Sequence, residues 1–436
     1  MRTGLKALVL AAGLALVAGP ASAATAPPLP TPKGGYGAKI SQDLLGMHAH
    51  YLTDATINTN QKFGAVRIWD NQVRWNQINT APGVYDWTLL DQVVANAEAV
   101  GATEILYVLG STPQWASQYP DSDGYFGPGS AGMPTNIDDW KNWVRAVAER
   151  YKGRITAYQP WNEANLTAMF YAGQTDSAVA MADLTQAAKQ VLDEVDPGAT
   201  FTTASSTVIQ TKSYVKSGWF KRYLTALKQR GVKPDTVSVH LYPWLKQGPG
   251  NGNLAQREQG LRLAQQVMAA TGFKKYAVWD TEMNYGNMRD TDRNQWPKKK
   301  YSQSQGAAYL AQTYLFSLTN GVSQVYWYGW DDYGLGVWPT SKAGRILQPG
   351  DAYNTLQSWL PGAKNGGCTP IGSITTCKIK RGAAKQYIVF RNANAKRAYT
   401  VPASWKVRQA CTVLDVCKPI RKSRVTVGLS PLLLTK

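Results

Sequence analysis

Between residues 44 and 330, short apolar runs rich in β-branched and aromatic residues alternate with longer stretches whose apolar positions recur at helical spacing. The short runs are Leu44–His50, Ala65–Trp69, Glu104–Leu109, Ile155–Trp161, Thr200–Ser205, Val237–Leu241, Tyr276–Glu282 and Gln324–Trp330. The longer ones include Asp86–Val100, Ile137–Lys152, Ser177–Val195, Ser213–Arg230, Ala255–Thr271 and Ser302–Asn320. Such repeated strand–helix units predict an α/β fold, a (β/α)8 TIM barrel. An open doubly wound sheet is the alternative, but no Gly-rich phosphate fingerprint follows any of the strands.

The pattern changes at Pro361-Gly362, which ends a helix over Ala352–Leu360. Beyond it, Lys385–Phe390, Ala398–Val401, Val407–Val413 and Val425–Leu429 alternate apolar and polar residues between turn signals, which predicts a small C-terminal antiparallel β-sandwich domain. Tyr36–Ile40 is a candidate extra strand for it. The domain plan is therefore a barrel over 41–361 and a sandwich over 362–436. Ahead of them lie a signal peptide over 1–23 and a lead-in over 24–40.

The N-terminus carries the pattern of a secretory signal. Arg2 and Lys6 precede an apolar core, Ala7–Val17, and Ala21-Ser22-Ala23 is a small-residue cleavage site. The expected location is outside the cytoplasm, extracellular or periplasmic, and no stretch is long enough to span a bilayer. Cys368, Cys377, Cys411 and Cys417 all fall in the last domain. In an oxidising compartment two disulfides are expected, and local pairing is the simplest of three connectivities. Zinc is the competing reading, weakened because the histidines, His48, His50 and His240, are far away in sequence.

Charge changes the picture once more. Residues 362–436 hold 15 Lys/Arg against a single acid, Asp415, and so carry +14 of the chain's +19, while the signal carries +2. The body between them is close to neutral. A basic module suits an anionic partner such as an acidic polysaccharide, a cell-envelope polymer or lipid headgroups, or it only keeps the protein soluble. No recognition motif points to nucleic acid.

The candidate chemistry sits at strand ends. Gln159-Pro160-Trp161-Asn162-Glu163 closes the fourth strand and Asp280-Thr281-Glu282 the seventh. In a closed eight-stranded barrel these strands face each other, so Glu163 and Glu282 meet at one mouth. A proton donor opposite an ionised carboxylate is what glycosidic bond cleavage requires. Arg67 ends strand two, and His240 and Tyr242 follow strand six. The loops after strands three and seven, 121–134 and 287–300, are long and polar.

Across residues 40–360 this set resembles the retaining glycoside hydrolases of clan A, leaning toward family 39, with family 5 next. The resemblance implies an acid/base at Glu163 with Asn162 beside it, a nucleophile at Glu282, and Arg67 near that nucleophile. It also implies an orienting His240/Tyr242 pair and an aromatic platform at Trp327 or Trp330. It implies a polysaccharide substrate, for which the basic module suggests an acidic or cell-envelope type; no cofactor, no metal and a monomer are expected. His48 and His50, closing strand one, are substrate-contact candidates, as are the loop aromatics Trp115, Tyr125 and Trp338. Each residue has a structural alternative. Arg67 could pair with Asp70 or Asp280, His240 could be a satisfied barrel histidine, and Tyr242 could brace a turn. Asp280 could replace Glu282, although it would sit deeper in the barrel. A glycan-binding or envelope-anchoring protein without turnover, and a transglycosidase using the same site, are the alternative functions.

Overall fold

A computed structural model describes residues 36–207, 218–245, 248–249, 253–288, 300–331 and 336–436. The expected signal segment, the lead-in before Tyr36, the start of the Ser213–Arg230 pattern and most of the loop 287–300 lie outside the described residues.

The eight strands are β1 (Leu45–Met47), β2 (Ala65–Ile68), β3 (Glu104–Val108), β4 (Ala157–Gln159), β5 (Thr200–Phe201), β6 (Thr236–Val239), β7 (Ala277–Met283) and β8 (Val322–Trp327). They pair in parallel in the order β6-β7-β8-β1-β2-β3-β4-β5. Bridges from Thr202 to Thr236 and from Thr207 to His240 carry β5 back to β6 and close the barrel. Most of the ladders are shorter than the apolar runs that announced them, because the runs continue into the mouth. That is where His48, Asn162 and His240 stand.

Inside, Ala65, Leu106, Ala157, Trp279 and Tyr326 form a separate packed layer in the lumen. Outside pack α1 (Thr88–Ala99), α2 (Ile137–Tyr151), α3 (Ser177–Val195), α4 (Trp219–Gln229), α5 (Leu254–Thr271), α6 (Gln303–Ser317) and α7 (Gln348–Trp359). Their starts obey local chemistry. Asn136 and Asp176 side chains cap α2 and α3, and Asn253/Gln256 and Ser302/Gln305 form capping boxes on α5 and α6.

The C-terminal residues form β9 (Lys364–Ile371), β10 (Ile374–Arg381), β11 (Ala384–Phe390), β12 (Arg397–Thr400), β13 (Gln409–Thr412), β14 (Cys417–Pro419), β15 (Arg424–Val427) and β16 (Leu432–Thr435). A six-stranded sheet, β9-β10-β11-β16-β13-β14, is covered on one face by the β12–β15 pair. Ile374, Tyr387, Val389 and Leu434 meet Val401 and Val427 there. The opposite face, with Cys377, Ile379, Ile388, Phe390 and Leu433, joins the core of the barrel. Gln312 of α6 donates to the carbonyls of Arg391 and Leu429 across this contact. That sharing explains why α6 is buried on nearly every side. Lys39 pairs with Lys364, so the segment from Tyr36 runs beside β9. Both disulfides are local, Cys368–Cys377 and Cys411–Cys417.

Candidate active site

The site is built around Arg67. On β2, Ala65 and Arg67 face the lumen, and the Arg67 side chain is fully buried. Its Nε and Nη2 both reach Gln159 Oε1, at 3.0 and 2.8 Å, and Nη2 also donates to Asn162 Oδ1 at 2.7 Å. Nη1 donates to Glu282 Oε2 at 3.1 Å. One guanidinium thus ties β2 to both strand ends that carry the carboxyls. Gln159 is held in turn by Ser238 Oγ at 2.5 Å, and Ser238 meets Thr281 Oγ1 at 2.7 Å.

Glu282 owes its direction to an irregularity. Along β7, Trp279 and Thr281 face inward and Asp280 outward, so simple alternation would send Glu282 outward too. Between Asp280 and Met283 the ladder to β8 shifts register, and this bulge turns Glu282 into the mouth. Asp280 stays outside. It accepts from Arg257 of α5 at 2.7 and 3.0 Å and from the Leu241 amide at 3.0 Å. The expectation that Asp280 lies deeper in the barrel, as an alternative to Glu282, is therefore corrected: it is a structural ion pair on the helix side.

Glu163 follows β4 at a left-handed turn, φ +44°. Its amide donates to Ser205 Oγ at 2.9 Å, and its Oε1 lies 2.9 Å from His240 Nδ1. Glu282 Oε1 accepts from the Tyr242 hydroxyl at 3.0 Å. Oxygens of the two carboxyls and the His240 nitrogen all lie within 4.8 Å of one another. Carboxyls about 5–5.5 Å apart suit double displacement at one anomeric carbon, whereas inversion needs roughly 6.5–9.5 Å for an intervening water.

Burial pushes Glu163 up to about 7, with Arg67 pulling the other way. Burial likewise pushes Glu282 up to about 7. Two such carboxyls titrate as a pair. Glu282 loses the first proton, because Tyr242 and Arg67 both donate to its anion, while among the described residues the Glu163 carboxyl hydrogen-bonds only with His240. Burial holds His240 down at about 3, hence neutral. Neutral, it exchanges a hydrogen bond with Glu163 in either protonation state without adding charge.

The other candidates divide. Burial and Arg67 hold His48 neutral, with Nε2 3.1 Å from Thr281 O. His50 sits half-exposed beside Asp331, which also takes the amides of His50 and Tyr51. Trp327 and Trp330 do not form the platform. Trp327 faces the outer layer, where its indole donates to Val337 O and its ring meets Tyr285. Trp330 lies against Phe63 and Tyr353. The strand-eight aromatic at the mouth is Tyr328, edge-on to His48 at 4.8 Å and His50 at 6.0 Å. Trp115 donates to Asn79 O and lines a surface hollow with Asn76, Pro113 and Pro120. Tyr125 is exposed and Trp338 buried. Gln159 and Tyr328 carried a legible signal: each falls two residues beyond a lumen residue, Ala157 and Tyr326, on the inward register.

A closed parallel barrel with two opposed carboxyls at its mouth defines a retaining glycosidase of clan A. A family model described as glycosyl hydrolase family 10 matches residues 33–338, and the chain belongs to that family. Among solved structures, a family 39 glycoside hydrolase from the gut symbiont Bacteroides cellulosilyticus WH2 aligns at 17% identity. That match covers 86% of this chain and 75% of that one, with a TM-score of 0.63. A glucosidase from Croceicoccus marinus aligns at 12% identity over 92% of this chain and 98% of that one, with a TM-score of 0.65. A family 10 structure from Paenibacillus barcinonensis aligns at 16% identity over 74% and 96%, with a TM-score of 0.50. At these identities the likeness is one of fold, and it spans families 39 and 10 within the clan. No curated protein sequence matches the chain significantly.

Proposed function

We propose that this protein is an exported enzyme that hydrolyses O-glycosidic bonds of a polysaccharide by double displacement. Glu163 is the general acid and then base, and Glu282 is the nucleophile. The observation that carries this reading is the carboxyl pair within 4.8 Å, with Arg67 and Tyr242 donating to only one member. Glu282 attacks the anomeric carbon while Glu163 protonates the departing oxygen. Glu163 then takes a proton from the water that releases the sugar. Asn162, its Oδ1 held by Arg67, presents its amide to a substrate hydroxyl, and Tyr328, His48 and His50 line the mouth beside it.

The working state carries one proton on the pair. Activity rises with pH as Glu282 ionises and falls as Glu163 ionises, so kcat/KM across roughly pH 4–9 should trace a bell centred near neutrality. In Glu163→Gln the alkaline fall should vanish; a fall that persists would place that ionisation elsewhere.

The N-terminal signal pattern and the two disulfides support export. We assign 1–23 to the signal, 41–361 to the catalytic barrel and 362–436 to a basic sandwich that holds anionic polymer. Lys364, Lys380 and Lys385 stand directly opposite one another on three neighbouring strands, with Lys378 on the same face. Like charges in such a row repel, and a polyanion relieves the repulsion. Replacing the three opposed lysines with Gln should weaken binding to a polyuronate about tenfold at low ionic strength and little at high salt. Turnover of an aryl glycoside should not change. Equal binding by both proteins at low salt would leave the row as a solubility device.

A further inference from the structure

Arg74 is a buried cation whose charge the chemistry above does not use. It stands between β2 and the short helix Trp75–Ile78, with 8% of its surface exposed. Its guanidinium lies 3.8 Å from the centre of the Phe126 ring and 5.7 Å from that of Trp69. Nη1 makes a long bond, 3.4 Å, to Trp69 O, and Nε is buried without a partner. Among the described residues no carboxylate comes within ion-pair distance of it, and Nη2 has no protein hydrogen bond. Unlike Nε, Nη2 is not sealed from solvent.

Its surroundings belong to the mouth. Trp69 continues the inward register of Ala65 and Arg67. Asp70 acts electrostatically on Arg74 and also on Glu163, His240 and Glu282. Tyr328, whose ring meets His48 and His50, acts on Arg74 as well. The aromatic floor is fixed. Asn76 Nδ2 donates to Phe126 O, and the Phe126 amide donates to Ser130 Oγ. A desolvated guanidinium against a ring, with donors unspent and, among the described residues, no carboxylate in ion-pair contact, is an unfavourable arrangement that a ligand's anion would relieve. A planar fork suits a carboxylate.

We propose that Arg74 is a carboxylate-reading subsite of this mouth, and that the glycan carries a uronic acid close to the bond cut. This rests on the glycosidase reading, naming the substrate class of the same cleft.

The test is equilibrium binding at about 0.15 M salt, which damps the basic sandwich. The probes are β-1,4-triglucuronate against cellotriose, and α-1,4-trigalacturonate against its carboxyl-reduced counterpart. The wild type should bind at least one acidic trimer about tenfold or more tighter than its neutral partner. In Arg74→Gln that ratio should fall to within about twofold, and in Arg74→Lys, which keeps the charge without the fork, to an intermediate value. Equal binding of both members of each pair by the wild type overturns the proposal, and so does an intact preference in Arg74→Gln. Binding needs no turnover, so these outcomes are separate from failure of the glycosidase reading, which would show as no cleavage of any aryl glycoside or glycan by the wild type.

Discussion

Glu282→Gln is expected to lower kcat on an activated aryl glycoside by roughly 10⁵-fold, about 7 kcal/mol of transition-state stabilisation. The amide is isosteric: its oxygen can still accept from Arg67 while its NH2 donates to the Tyr242 hydroxyl oxygen, so the mouth keeps its shape and the attacking anion is lost. Glu282→Ala leaves space where the carboxylate stood. Added azide should then enter from that face and give a glycosyl azide of anomeric configuration opposite to the wild-type product. Wild-type turnover by Glu282→Gln would remove it from the nucleophile role. Asp280 could not take over, because it is locked against Arg257 outside the barrel.

Glu163→Gln is expected to discriminate between leaving groups. Its proton matters when the departing oxygen is basic and little when it leaves as a stable anion. Natural glycans should therefore lose about 10²–10⁴-fold, while the first step on a dinitrophenyl glycoside should change far less. The measurement is kcat/KM against leaving-group pKa, which should steepen in the variant. A uniform loss across the series would make Glu163 a positioning group instead.

Much of this site was legible because a barrel converts strand order into position. Once β4 and β7 were numbered, Glu163 and Glu282 had to share a mouth, and Arg67 on β2 was already near them. Direction within a strand was harder to read. Glu282 faces inward through a bulge that no composition signal marks, and by alternation alone Asp280 and Glu282 would point the same way. The strand-eight platform was misplaced by one register. Trp327 and Trp330 drew attention as large aromatics, yet Tyr326 in the lumen puts Tyr328 at the rim. The hairpin of β9 and β10 escaped because its Thr, Gly and Lys residues pair through the backbone and a disulfide more than through an apolar face. Arg257, in the first turn of α5, gave no sign that its partner would be Asp280 on another element.

The sheet formed by β9, β10, β11, β16, β13 and β14 gives one face to its own small pair of strands and the other to α6, and it also takes the chain just before β1 alongside β9. The polypeptide is thereby buckled, the segment from Tyr36 fastened to its C-terminal domain. Such a protein cannot be shortened to its barrel: cutting after α7 would bare an oily flank of α6 and unfasten the opening stretch, and the product should aggregate.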